Sequence, residues 1–186
     1  MRSVDVRRSV GQSTQRMLTD KFDILFIHDC GRYTHGDRQP EIFAQALRSA
    51  YPALEMLYDQ GVVTAIGFGV NEADACSAAL KNTDAGCLLL VGRYTLLEQE
   101  PLDDLLLACA ERGVGLVLGS VYNSGILAIG PIDCAKFNYT RAPEAVKSRT
   151  GAIEQTCSQH GCRWQRPRCS SPTPPAVASV CLGHPP

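Results

Sequence analysis

Two groups able to exchange protons, His28 and Asp29, stand where an uninterrupted apolar run stops, in FDILFIHD (22–29). Ile24, Leu25, Phe26 and Ile27 form the kind of block that is buried on both faces of a parallel sheet. A histidine at the carboxyl end of such a strand sits at the mouth of an α/β fold, where ligands bind. A histidine that only caps the strand by hydrogen bonds would give the same local pattern. The remaining candidates for chemistry are weaker. Nine cysteines are an odd number without regular spacing, and Cys76, Cys87 and Cys109 fall inside apolar patterns, as buried thiols do. CSQHGC (157–162) lacks a third and fourth ligand at close spacing, so no metal site is expected. GFGVNE (67–72) resembles a dinucleotide glycine loop but is missing its third glycine.

Alternating elements must position these groups. A short helix over 6–18 leads into a strand over 22–27 and a loop, DCGRYTHGDRQP. A helix over 41–60 carries Ala44, Leu47, Tyr51, Leu54 and Leu57 on one stripe and stops at Gly61, as a C′ glycine should. A strand over 64–70 follows, with Asn71 as N-cap of a helix over 72–80. Next come a strand over 86–91, GRYTLLEQEP, and a helix over 102–112 ending at Gly113. A strand over 114–118 precedes the loop GSVYNSGILAIG. The pattern closes with a helix over 143–160 and a strand over 177–182. Units of about 25–30 residues that alternate strand and helix predict a parallel sheet or barrel. Five strands fit either part of a (β/α)8 barrel or a complete five-stranded doubly wound sheet.

The chain has 186 residues, enough for a domain with a real core. Its 18 lysines and arginines balance 19 acidic residues, which gives no footing for a nucleic-acid or membrane-surface partner. The basic start MRSVDVRRSVGQ has no apolar h-region, and no run approaches the roughly 20 residues that span a bilayer. A cytoplasmic protein without a disulfide framework is expected.

Four segments in order, DILFIHD, GVVTAIGFGVNE, GRYTLLEQE and GSVYNSGIL, resemble the aldo-keto reductases. GRYTLL and YNSGIL are similar to the sugar-type branch, which includes aldose and pyridoxal dehydrogenases. The likeness covers residues 1 to about 160, and again 176–183. It implies a partial TIM barrel, about strands 4 to 8, with NAD or NADP bound without a Rossmann domain. A small sugar or related aldehyde would be the substrate. His28 then matches the family histidine that orients the substrate or assists proton transfer. Asn71 matches the asparagine that holds the nicotinamide carboxamide. Arg93 and Tyr94 fall where the family lines the nicotinamide pocket. Ser120, Tyr122, Asn123 and Gly125 fall in the loop that embraces the pyrophosphate, where small residues let the backbone approach an anion. Helix capping by Asn71, and core or rim packing by Tyr94 and Tyr122, are the structural alternatives.

The resemblance also implies an Asp, a Tyr and a Lys that no motif here supplies, and neither Tyr33 nor Tyr51 lies at a family catalytic position. The expectation is therefore a partial barrel over 1–160, an irregular segment over 161–175, and a last barrel strand over 176–186. Such a chain would retain part of a cofactor groove with or without turnover. It would also expose apolar strand faces and edges, and so be poorly soluble or oligomeric. The segment GCRWQRPRCSSPTPP has neither helical nor strand period. With GC-rich codons, a one-base shift would read residues 162–172 as Val-Pro-Leu-Ala-Ala-Ala-Ala-Leu-Gln-Phe-Pro, a helix. Cys162, Trp164 and Cys169 would then carry no function. A flavodoxin-like binding domain fits the strand count, but DCGRYTHGD is a poor phosphate loop.

Overall fold

The computed structural model describes residues 3–162 and the backbone of 177–180. Helix α1 (Ser3–Met17) precedes strand β1 (Phe22–His28), which leads into the short helix α2 (Arg32–His35) and then α3 (Gln39–Gln45). Residues Ala46–Ala50 form a π-helical turn before α4 (Tyr51–Asp59). Strand β2 (Val63–Val70), helix α5 (Ala73–Asn82), strand β3 (Cys87–Val91), helix α6 (Leu105–Arg112) and strand β4 (Gly115–Gly119) follow. Beyond them lie the short helix α7 (Ile126–Ile129), the hairpin β5 (Lys136–Phe137) and β6 (Thr140–Arg141), helix α8 (Glu144–Gln159) and strand β7 (Val177–Val180).

The main sheet is five-stranded, in the order β1-β2-β3-β4-β7, with every pairing parallel. Each strand lies beside the one before it in the chain, and the order never reverses. This is the winding of a barrel wall and excludes the doubly wound alternative, whose strand order turns back at a switch point. The chain thus builds an α/β sheet of the (β/α)8 type over part of its circumference.

Register sorts the strands into rows. Ile27, Phe68, Leu88 and Leu116 are partners across β1 to β4, and this row is sealed: Phe68, Leu88 and Leu116 are at 0% exposure. Val70, Leu90 and Leu118 are buried on the same face, together with Leu54, Ala79, Leu105 and Cys109 from the helices. The alternate row, His28, Gly69, Leu89 and Val117, faces the side the helices do not cover, and Leu89 and Val117 are only half-buried. Continuous apolar runs therefore do not mean burial on both faces here. In β1 only Ile27 is fully buried and Ile24 is exposed, because β1 pairs with β2 alone among the described residues and helices pack on one face.

Several expectations hold. Gly61 (φ 71°) and Gly113 (φ 66°) end α4 and α6 in the left-handed region, where a Cβ would be strained. Cys76, Cys87 and Cys109 are buried. Other expectations need correction. The helix expected over 41–60 is interrupted by the π turn. Pro52, which cannot donate an amide hydrogen to the turn before it, is the second residue of α4, just beyond that turn. The loop after β1 contains α2, and the loop after β4 contains α7. The hairpin β5–β6 was not expected at all. Most of the 161–175 segment, and the last residues expected in β7, lie outside the described residues.

Candidate functional site

His28 ends β1 and is paired with Gly69 on β2. A Cβ on Gly69 would stand 2.9 Å from His28 Cδ2 and 3.1 Å from Nε2, so glycine makes the bed on which the imidazole lies. Nδ1 is 3.2 Å from the carboxylate of Asp29, and both side chains are about half exposed. So open a pair adds little stability, but the contact orients the ring and leaves Nε2 toward the uncovered face. Asp29 takes a left-handed backbone (φ 55°), which turns the chain off the strand immediately after the histidine.

The next two strand ends supply amides and hydroxyls. Asn71 is half-buried just beyond β2. It does not cap α5: the helix begins at Ala73, and the N-cap position is Glu72, without a side-chain cap. The Glu72 carboxylate is engaged elsewhere. It accepts the Tyr33 amide hydrogen and occupies the space a Cβ on Gly31 would need. Its Oε2 is buried without a hydrogen-bond partner. Glu72 thereby ties the segment after His28 to the segment that carries Asn71.

Gly92 follows β3 in the left-handed region (φ 69°). Its amide donates to the Gly119 carbonyl at 2.9 Å, and its own carbonyl accepts from Asn123 Nδ2 at 3.0 Å. Asn123 is 2% exposed, and its Oδ1 has no partner. Ser120, Asn123, Ser124 and Gly125 all have positive φ, so the chain after β4 curls tightly over the strand ends. Arg93 Nη1 donates to Asn138 Oδ1 at 3.1 Å and to the Gly92 carbonyl at 3.2 Å. The guanidinium thus fastens the β5–β6 turn to the rim.

Asn71, Gly92, Ser120, Asn123, Asn138 and Tyr139 line one polar crevice at these strand ends, about 10 Å³ in volume, the space of a single water. Three residues singled out from the sequence, Asn71, Ser120 and Asn123, meet there. Arg93 reaches it through Asn138. His28 lies outside the lining, on the adjacent row, and so do Tyr94, Tyr122 and Gly125. Tyr94 packs half-buried on the main core and Tyr122 on a second cluster around Ile126 and Leu127, so packing is the role their contacts show. Sequence reasoning missed Glu72, Tyr33, Asn138 and Tyr139. The only local signal was Asn-Tyr between two short segments of mixed polarity, with no glycine to mark a hairpin turn.

Thiol chemistry is not favoured at the rim. Burial, helped by the nearby Glu72 and Asp29 carboxylates, pushes Cys30, two residues beyond His28, up to about 11. Cys109 is raised to about 11 by burial as well. These thiols stay protonated and are poor nucleophiles near neutral pH. Among the described residues no cluster of His, Cys, Asp and Glu could hold a metal ion, and no helix is long and apolar enough to cross a membrane.

A sequence model described as "Aldo/keto reductase family" matches residues 1–166. A D-threo-aldose 1-dehydrogenase of a Pseudomonas species is 37% identical over 156 residues, which covers 83% of this chain and 45% of that protein. A pyridoxal 4-dehydrogenase of Microbacterium luteolum is 38% identical over 157 residues, covering 83% and 46%. The chain therefore spans about half the length of the curated relatives it matches. Among solved structures, a glycerol dehydrogenase from Gluconobacter oxydans superposes with a TM-score of 0.65 at 14% identity, covering 98% of this chain and 55% of the other. An aldo-keto reductase from Bacillus halodurans in its apo form superposes with a TM-score of 0.64 at 19% identity, covering 99% and 59%. At these identities the superpositions speak for the fold.

Proposed function

Because this chain belongs to the aldo/keto reductase family, we propose that its carboxyl-end rim serves an NAD- or NADP-dependent oxidoreductase. The reaction interconverts a CH–OH group and a carbonyl on a sugar lactol or related aldehyde. The partners are small molecules rather than nucleic acid or membrane, in the cytoplasm. Residues 1–160 and 176–186 contribute to one barrel wall in this reading, with 161–175 connecting them. The observation that carries it is the meeting of Asn71, Ser120 and Asn123 in one polar crevice, beside the open row that His28 ends.

The donor set suits a nicotinamide cofactor. An amide such as Asn71 both donates and accepts, which matches a carboxamide. The buried, unpartnered Oδ1 of Asn123 is an acceptor in need of a donor. The left-handed positions Ser120, Asn123, Ser124 and Gly125 carry small side chains, which leave room for an approaching anion. The crevice is only water-sized, so the reading assigns these residues to the rim that a cofactor contacts. The bound cofactor would supply the hydride acceptor or donor. His28, held by Asp29 and bedded on Gly69, orients the substrate oxygen and exchanges its proton. Arg93 acts as a fastener of the rim, since its guanidinium is already committed to Asn138 and Gly92.

Titration of the purified chain with NADH and with NADPH, followed by nicotinamide fluorescence, tests this. Saturable binding is expected, and Asn71→Ala should weaken it roughly two- to tenfold, the worth of one or two hydrogen bonds. Oxidation of L-fucose is followed in parallel by nicotinamide absorbance. Binding without turnover would assign the chain a groove and no chemistry. No saturable binding of either cofactor would overturn the proposal.

A further inference from the structure

Two exposed tyrosines are brought together at the rim from distant parts of the chain. Tyr33 lies in α2, after β1, and Tyr139 lies in the β5–β6 turn. Their ring centroids are 6.0 Å apart with planes inclined by 50°, and both residues stay about half exposed, at 50% and 57%. Each is anchored by a polar group instead of by core packing. The Tyr33 hydroxyl donates to the Asn138 carbonyl at 3.2 Å. The Tyr139 amide donates to Ser124 Oγ at 3.0 Å. Arg93 holds the Asn138 side chain.

Tyr139 does this from a costly backbone. Asn138 (φ 48°) and Tyr139 (φ 65°) both occupy the left-handed region. Two-residue hairpin turns of this kind take Asn, Asp or Gly at both central positions. Asn138 conforms; a tyrosine beside it is strained. The ring belongs to neither buried cluster, so burial does not offset that strain. A bulky ring kept in a strained, exposed position beside a site points to a function for the ring.

We infer that Tyr33 and Tyr139 are specificity-determining residues, an aromatic wall that takes the apolar C–H face of a pyranose ring. Aromatic rings offer rigid apolar area at low entropic cost while their hydroxyls stay hydrated. Tyr139 also lines the crevice that holds Asn71 and Ser120, so a ring stacked on the wall has its hydroxyl edge beside those polar groups. The inference rests on the proposed function for the substrate class, and it commits to cyclic sugars over open-chain aldehydes.

The probe is L-fucose, whose pyranose ring carries an apolar face, titrated into the full chain with and without NADH and read by saturation-transfer NMR. Tyr33→Ala and Tyr139→Gly should each weaken L-fucose binding about three- to tenfold. NADH affinity should not change in Tyr33→Ala, whose side chain lies outside the crevice lining. Tyr33→Phe, which keeps the ring and loses the hydroxyl, should retain most of the sugar affinity. Tyr139→Gly separates the two roles, because glycine fits the left-handed turn. It should leave the thermal midpoint unchanged or raised while sugar binding falls. Unchanged L-fucose affinity in Tyr33→Ala and Tyr139→Gly, or no L-fucose binding to the wild-type chain, would overturn the inference. Loss of NADH binding in the wild type would instead strike the proposed function, and the sugar titration without NADH still decides the wall.

Discussion

Ile27, Phe68, Leu88 and Leu116 lie side by side across four strands and are closed off from solvent by the helices. One residue further along the same strands, His28, Gly69, Leu89 and Val117 face the other way, onto the side that none of the described helices covers. The first row contains no polar side chain. The second ends in an imidazole resting on a glycine and leads to a rim of left-handed residues with two buried, unpartnered oxygens. The alternation of side chains along a strand thus separates the part that holds the fold together from the part available for chemistry. Apolar burial stabilises the sealed row, while the open row and its rim spend some of that stability on strain and unsatisfied polar atoms.

The harshest test crosses that division. Gly67 lies on the open face, yet a Cβ there would collide with the Cys87 carbonyl of the neighbouring strand. Gly67→Ala should part β2 from β3 and cost more than the roughly 2–5 kcal/mol of a large core truncation. Urea denaturation monitored by circular dichroism should find little folded protein. A midpoint near that of the wild type would show that the open face tolerates bulk even where backbone is the neighbour.

Leu88→Ala measures the sealed row itself. Leu88 is at 0% exposure and central in the sheet, so about 2–5 kcal/mol should be lost, read as a lower urea midpoint with little change in slope. NADH affinity measured well below that midpoint should not move. A loss under about 1 kcal/mol would mean that the row is not the keystone its burial implies.

Gly69→Ala should have the smallest effect on stability and a specific one on the site. The added methyl presses chiefly on the half-exposed His28 ring, which can yield, and meets Leu89 Cδ2 at 3.4 Å, close to ordinary contact. The stability change should stay within about 1 kcal/mol, while the His28 resonances shift in the imidazole NMR spectrum, assigned against His28→Gln. A spectrum with His28 unmoved would remove the glycine-bed account of how the ring is placed.

Much of this was legible locally. Strand and helix alternation, the glycine stops at 61 and 113, and the three core cysteines follow from patterns a few residues long. His28 was found because the apolar run ends there, and Asn71, Ser120 and Asn123 because the strand-end segments resemble those of a family. Other features were not legible, for identifiable reasons. The helix cap at Asn71 failed because Glu72 takes the N-cap position and spends its carboxylate on the Tyr33 amide, a partner 39 residues away. Burial of β1 on both faces failed because apolar composition does not reveal which faces have covers. The π turn before Pro52 depends on one missing amide hydrogen inside an otherwise good helical stripe.

By itself the sequence determined where the sheet strands and the longer helices form, which glycines stop helices, and which histidine ends an apolar strand, because these depend on side chains and backbone preferences within a few residues. Only the tertiary structure decided which strand face is sealed, that Glu72 holds the segment after His28, and that Tyr33 and Tyr139 share the rim. Those outcomes depend on contacts between distant segments, such as the Tyr33–Asn138 hydrogen bond across 105 positions of the chain. Short-range pattern carries no record of such partners, because the physical term that selects them, burial and hydrogen bonding between packed elements, exists only once the chain has folded.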